Sequence, residues 1–353
     1  MPIIPTIPTI PTRRKWLIAA LASTAMPRLF AQAPQTRSEE KFSAILPDPT
    51  EHIMLWPHGA PGLAERDQRA GRPLVETINE RSTSQSFKDR AVLGISRPRL
   101  VVFRPNVANA ANGANSTNGA SILLMPGGGY KWVVMDKEGF ELGHWLSARG
   151  YTVFVLFYRL PGDGWPDRAN VALADAQRAM RLIRHRAAAE GLDPRRVGAM
   201  GFSAGGHVCA DLMTRFAQPV YAPVDAADTQ SARPIIAAPI YPVISMSAPH
   251  AHAGSREQLL GPNATPALEQ AHSPHLNVPD NASPCFLLHA EDDTAVPVEN
   301  TLLLRAALKS RRVPVETHIF AAGGHGFGMR LVQGKPAEAW PELFVAWARG
   351  QGL

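Results

Sequence analysis

Short apolar runs separated by amphipathic stripes restrict the fold of this chain more than any other feature. Leu100-Val101-Val102-Phe103, Ser121 to Met125, Tyr151 to Tyr158, Val197 to Met200, Ile235 to Ile240, Cys285 to Leu288 and Glu316 to Phe320 each have strand length. Most are apolar throughout, as strands covered on both faces of a parallel sheet must be. Helical patterns lie between them at Glu138 to Ala148, Ala169 to Glu190, Gly205 to Phe216, Val298 to Ser310 and Pro341 to Arg349. In the second of these, Leu173, Ala176, Met180, Ile183 and Ala187 fall on one stripe and Gly191 supplies the stop. Alternation of this kind predicts an α/β fold: βαβ units, a mostly parallel central sheet and helices on both faces. Chemistry in such folds sits at the carboxyl ends of the strands.

The segment before this pattern reads as an address. Residues 1–33 begin with three Ile-Pro-Thr units, continue into Arg13-Arg14-Lys15, then an apolar stretch to about Ala25, and end near Ala31-Gln32-Ala33. A basic start, a short apolar centre and an A-x-A-like end outline an export signal. Arg13-Arg14 after Thr12, with Trp16 and Leu17 close behind, resembles the bacterial twin-arginine signal, which implies a periplasmic or secreted protein handed to export machinery. The apolar stretch is too short for a stable membrane anchor. Residues 34–50 read as a polar linker, residues 51–353 as the folded domain, and 57 to about 98 as loop-like. Asn106 to Gly119 is an Asn/Ala/Gly-rich surface loop.

The net charge of +6 on 353 residues invites a nucleic-acid reading. Yet Arg13, Arg14, Lys15 and Arg28 stand in the first 33 residues with no acid beside them, which leaves +2 for the remainder and removes that reading. With 45% hydrophobic and 19% charged residues, wholesale disorder and coiled coil are excluded. Cys209 and Cys285 are too few and too far apart for a disulfide scaffold or a C-x-x-C metal site, and both read as buried thiols. His250 and His252 fit no metal-ligand spacing, so neither a metal nor another cofactor is expected.

The chemistry is concentrated in three post-strand turns. Gly201-Phe202-Ser203-Ala204-Gly205 follows an apolar strand and opens a helix, the context in which G-x-S-x-G forms a nucleophile elbow. Ser203 then sits on a strained turn, and glycines two places to either side let strand and helix approach. The strand from Cys285 to His289 ends in Ala290-Glu291-Asp292-Asp293, which offers carboxylates. The last strand runs into Gly323-Gly324-His325-Gly326. Ser203, Asp293 and His325 thus appear in the order nucleophile, acid, base, each at the end of a strand. Pro126-Gly127-Gly128-Gly129-Tyr130 follows another strand, and the N–H groups of Gly128, Gly129 and Ala204 are the expected oxyanion donors. Tyr130, Trp132 and Trp165, aromatic residues in nearby loops, are candidate sugar-binding surfaces. His207, Asp175 and Glu138 read as structural.

Together PGGGY, DPRRVGAMGFSAGGH, HAEDDTAVPVEN and GGHGFG resemble the α/β-hydrolase superfamily. More closely they are similar to bacterial carbohydrate esterases of the acetyl xylan and feruloyl esterase type, over about Leu55 to the C-terminus. That resemblance implies a serine esterase releasing acetyl, and secondarily feruloyl, groups from carbohydrate esters without a cofactor. It also implies Asp293, three residues before Val296-Pro297, as the acid, with Asp292 in reserve. Pro126 departs from the His that hormone-sensitive-lipase-like relatives carry before the glycines. Residues 242–284 would be a short insertion and not a large cap. Two other readings of the same residues are a serine peptidase of prolyl-oligopeptidase type and an inert hydrolase fold that only binds carbohydrate.

Overall fold

The structure, a computed structural model, describes residues 47–84, 86–105 and 117–353. The expected export signal (1–33), most of the linker that follows it and the bulk of the Asn/Ala/Gly-rich loop lie outside the described residues.

The strands are β1 (His52–Met54), β2 (Thr77–Glu80), β3 (Arg90–Leu93), β4 (Arg99–Phe103), β5 (Ser121–Met125), β6 (Val133–Val134), β7 (Thr152–Phe157), β8 (Val197–Phe202), β9 (Ala237–Ile240), β10 (Cys285–Ala290) and β11 (Val315–Phe320). The helices are α1 (Leu63–Ala70), α2 (Glu141–Ser147), α3 (Val171–Arg186), α4 (Ala204–Arg215), α5 (Ala253–Leu260), α6 (Pro266–Ala271), α7 (Glu299–Ser310) and α8 (Trp340–Gly350). Among the described residues, the main sheet has eight strands in the order β1-β4-β7-β5-β8-β9-β10-β11. From β7 to β11 every pairing is parallel, while β1 and β4 add an antiparallel edge. This is the α/β-hydrolase fold, a mostly parallel sheet with helices packed around it.

Burial explains why this part follows the sequence so closely. Every residue of β5, β7, β8, β9 and β10 is buried, so these strands had to be apolar on both faces. α3 carries its apolar stripe inward, with Leu173, Ala176, Met180 and Ile183 all buried. Cys209 and Cys285 are buried free thiols, and burial pushes both above the ordinary thiol range.

Two regions differ from expectation. The stretch from 57 to 98, read as loop, contains α1 and the strands β2 and β3, and β3 joins β2 to β6 in a small antiparallel sheet. Thr77-Ile78-Asn79-Glu80 is exposed throughout and α1 is a short, highly polar helix, so neither shows an apolar run. The expected helix from Glu138 begins instead as a π-helical turn, Asp136–Phe140, before α2. Asp136 accepts the Arg90 backbone N–H at 2.6 Å, which ties that turn to β3. The 242–284 insertion holds α5 and α6, eight and six residues long, and is no large cap.

Candidate active site

Ser203 is held where β8 passes into α4. Its φ of 54° and ψ of −117° are strained for a residue with a side chain. The turn closes only because its flanks lack side chains: a Cβ at Gly201 would strike the Gly205 carbonyl, and one at Gly205 would strike those of Met125 and Pro126. The Ser203 N–H bonds to Ile240 O at 3.0 Å, and its carbonyl accepts from His207 and Val243 at 3.0 and 3.1 Å, which fixes the strained residue on three sides.

His325, after β11, brings Nε2 to 2.8 Å from Ser203 Oγ. Its Nδ1 lies 2.6 Å from Asp293 Oδ2, after β10. A carboxylate can only accept, so the proton of the neutral ring sits on Nδ1 and the Nε2 lone pair faces the serine hydroxyl. Asp293 is heavily bonded: Ala295 and Val296 donate backbone N–H groups to Oδ1, both at 2.9 Å, and His289 Nε2 approaches Oδ2 at 3.1 Å. Burial alone would raise this carboxyl, but the hydrogen bonds from His289 and His325 outweigh it and hold Asp293 well below the usual carboxylate range. Its neighbour Asp292 points elsewhere. Asp292 Oδ1 accepts the N–H groups of Gly323 and Gly324 at 2.8 and 2.7 Å and so pins the loop that carries His325.

The glycine loop stands opposite. Glu138 Oε2 takes the Gly127 N–H at 2.8 Å, whereas among the described residues nothing accepts from the N–H groups of Gly128 and Gly129. Ala204 opens α4, where a helix leaves its N–H groups without internal partners. Gly128, Gly129 and Ser203 line one open cleft of about 370 Å³, together with Trp132 and His325. The arrangement can present a deprotonatable hydroxyl and unpaired N–H donors to the same carbonyl carbon and oxygen.

Two of the aromatic candidates point away from the cleft. Tyr130, at φ 61°, turns its ring inward, is 1% exposed and places its hydroxyl 2.7 Å from His207 Nδ1. Trp165 is 2% exposed, with the Arg159 guanidinium 5.2 Å from its ring centre. Trp132 remains at the cleft, with Arg81 5.8 Å from its ring centre. Asp175 is buried against Arg159 and Trp56, as a structural residue would be.

Sequence reasoning passed over His289 and Tyr241 and read a third residue at this site, Glu138, as structural. His289 is positioned by Thr301 Oγ1 at 2.8 Å and braces Asp293. Tyr241 packs edge-on to His325 at 5.3 Å, donates to Glu138 Oε1 at 2.9 Å and accepts the Gly328 N–H at 3.1 Å. Glu138 therefore joins the glycine loop to the histidine loop through Tyr241. His289 stands in the quoted HAEDD motif and was the most accessible of the three, because a His four residues before the acid can reach back to it.

Comparison with known proteins places the chain in a family. The BD-FAE family profile matches residues 111–308. A curated acetylxylan esterase of Xylanibacter ruminicola is 32% identical over 216 residues, covering 60% of this chain and 42% of that protein. Endo-1,4-beta-xylanase B of Butyrivibrio fibrisolvens is 34% identical over 235 residues, or 65% of this chain and 34% of that protein. The match thus spans less than half the length of either curated relative. Among solved structures, an acetyl ester-xyloside bifunctional hydrolase from Caldicellulosiruptor lactoaceticus aligns with a TM-score of 0.66 at 32% identity, over 88% of this chain and 99% of that one. Esterase Est2 from Thermogutta terrifontis shares the fold at a TM-score of 0.56 and 22% identity, over 78% of this chain and 90% of that one.

Proposed function

The chain belongs to the BD-FAE family, and from that premise we propose that it is a serine carboxylic-ester hydrolase that removes acetyl groups from xylan-type carbohydrate. The observation that carries this reading is the hydrogen-bonded chain Ser203–His325–Asp293 opening onto a cleft beside the unpaired N–H groups of Gly128 and Gly129. The names of the acetylxylan esterase and of the acetyl ester-xyloside hydrolase supply the substrate class. Feruloyl esters are the second acyl class.

Ser203 Oγ attacks the acetyl carbonyl while His325 Nε2 takes the hydroxyl proton, and Asp293 stabilises the imidazolium that forms. The carbonyl oxygen, now an oxyanion, lies toward the N–H groups of Gly128, Gly129 and Ala204. Collapse breaks the bond to the sugar oxygen, which leaves with the proton from His325. Water, deprotonated by the same nitrogen, then attacks the acetyl-serine and releases acetate.

Export belongs to the same proposal, through the signal-like residues 1–33 with their Arg13-Arg14 pair. The test is Ser203→Ala against p-nitrophenyl acetate and acetylated xylan. Loss of both activities is expected, and retention of either sinks the mechanism.

A further inference from the structure

The cleft around Ser203 is cationic out of proportion to the chain that carries it. Beyond residues 1–33 the chain has a net charge of only +2, yet Arg81, Lys131 and Lys137 all line this one opening. Arg81 is neutralised by Asp89, 2.8 Å away. Lys131 and Lys137 form no ion pair among the described residues. The lining contains one carboxylate, Glu138, whose oxygens accept from the Gly127 N–H and the Tyr241 hydroxyl; its negative charge forms no ion pair with either lysine, so the opening holds one unpaired cation in excess. Glu141, which also feels the charge of Lys137, is held by Arg330 at 2.6 Å.

Geometry directs this charge toward the reacting centre. Lys137 lays its stem against Gly328 and brings its ammonium beside Gly326, the residue next to His325. Lys131 follows the glycine loop directly and is exposed. His252, at the start of α5, adds a neutral donor: its Nδ1 accepts the Ser255 N–H at 3.2 Å, so the ring proton sits on Nε2, and burial lowers its affinity for a second proton. Cations concentrated in a cleft with a low-dielectric wall attract an anionic ligand far better than isolated surface charges do.

We propose that Lys131 and Lys137 select acetylated oligosaccharides bearing a carboxylate on the sugar moiety, a uronic-acid branch close to the acetylated residue, with His252 donating to a neighbouring hydroxyl. This rests on the esterase reading above and sharpens it. Ammonium-to-carboxylate hydrogen bonds are stronger than neutral ones, and the attraction is screened by salt.

The experiment compares kcat/KM on three substrates at low salt and in 0.5 M NaCl. They are acetylated xylotriose, the same trisaccharide with a glucuronoyl branch, and a neutral xylotriose esterified with hemisuccinate. The glucuronoyl substrate should be preferred to the neutral one by roughly tenfold at low salt, a difference of about 1.4 kcal/mol. That ratio should fall toward one at high salt and in Lys131→Gln/Lys137→Gln, and persist in Lys131→Arg/Lys137→Arg, which keeps the charge. A ratio near one at low salt, with the neutral acetyl ester still hydrolysed, overturns the inference and leaves the esterase reading intact. A preference confined to the hemisuccinate overturns it by placing the carboxylate on the acyl side. Failure to hydrolyse any of the three overturns the esterase reading and this inference with it.

Discussion

Two histidines stand on either side of the same strained serine and differ in everything that matters for reactivity. His207, one helical turn after Ser203, is fully buried, with Nδ1 on the Tyr130 hydroxyl and Nε2 on the His272 carbonyl at 2.8 Å. His325 has a side chain 24% exposed, a carboxylate on Nδ1 and the serine hydroxyl on Nε2. Burial lowers the proton affinity of His207 by more than the charge of nearby Asp211 raises it. His207 is a locked part of the core beneath the elbow. His325 has an ion to stabilise its charged form and an open side from which a substrate can approach. A histidine near a nucleophile becomes a base only through both.

The contrast can be broken at several points. Ser203→Ala removes the hydroxyl that faces the open histidine, and kcat should fall by roughly 10⁶-fold, measured on p-nitrophenyl acetate against a matched blank. Asp293→Asn keeps the shape but no longer enforces the Nδ1–H tautomer, so a loss of roughly 10⁴-fold is expected. An Asp293→Asn enzyme within tenfold of the parent would mean that the carboxylate does not distinguish the two histidines.

The buried side makes predictions about stability. Burial, with the Arg215 guanidinium donating to its Nδ1 at 3.1 Å, pushes His272 down to about 4 from an ordinary 6.5. As pH falls below 6.5 the unfolded chain takes up this proton before the folded one does. Stability is therefore full above 6.5 and declines toward pH 4, by roughly 3 kcal/mol. Melting temperature against pH should show that decline in the parent and a shallower one in His272→Gln. An equal slope in both would remove His272 from the acid side. The smallest effect belongs to Tyr130→Phe, which leaves His207 Nδ1 without its partner. It should cost about 1–3 kcal/mol in urea unfolding and leave kcat/KM near the parent value. A collapse of activity at unchanged stability would put Tyr130 back in the cleft.

The same contrast marks how far the sequence can be read. β5 coincides to the residue with the apolar run from Ser121 to Met125, because a strand covered on both faces has no freedom to be anything else. Ser203 and His325 were legible for a local reason: glycines at 201, 205, 324 and 326 mark turns that force a side chain outward, whereas no glycine marks Asp293, which was read from its place after a strand and from the family resemblance. Tyr130 and Trp165 were misjudged because a loop position does not tell which way a ring points. The positive φ of Tyr130 sends its ring into the core, where His207 awaits it. β2 was illegible because its four residues are exposed and its pairing with β3 is tertiary. Tyr241 joins the glycine loop only through Glu138, 103 positions away in sequence.

In the proposed mechanism Ser203, and not another hydroxyl, is the nucleophile that the open histidine activates. Incubation with a fluorophosphonate probe followed by peptide mass spectrometry tests it most directly. One stoichiometric adduct should form on Ser203, far more slowly in Asp293→Asn and not at all in Ser203→Ala. An unlabelled protein, or an adduct that persists elsewhere in Ser203→Ala, would contradict it.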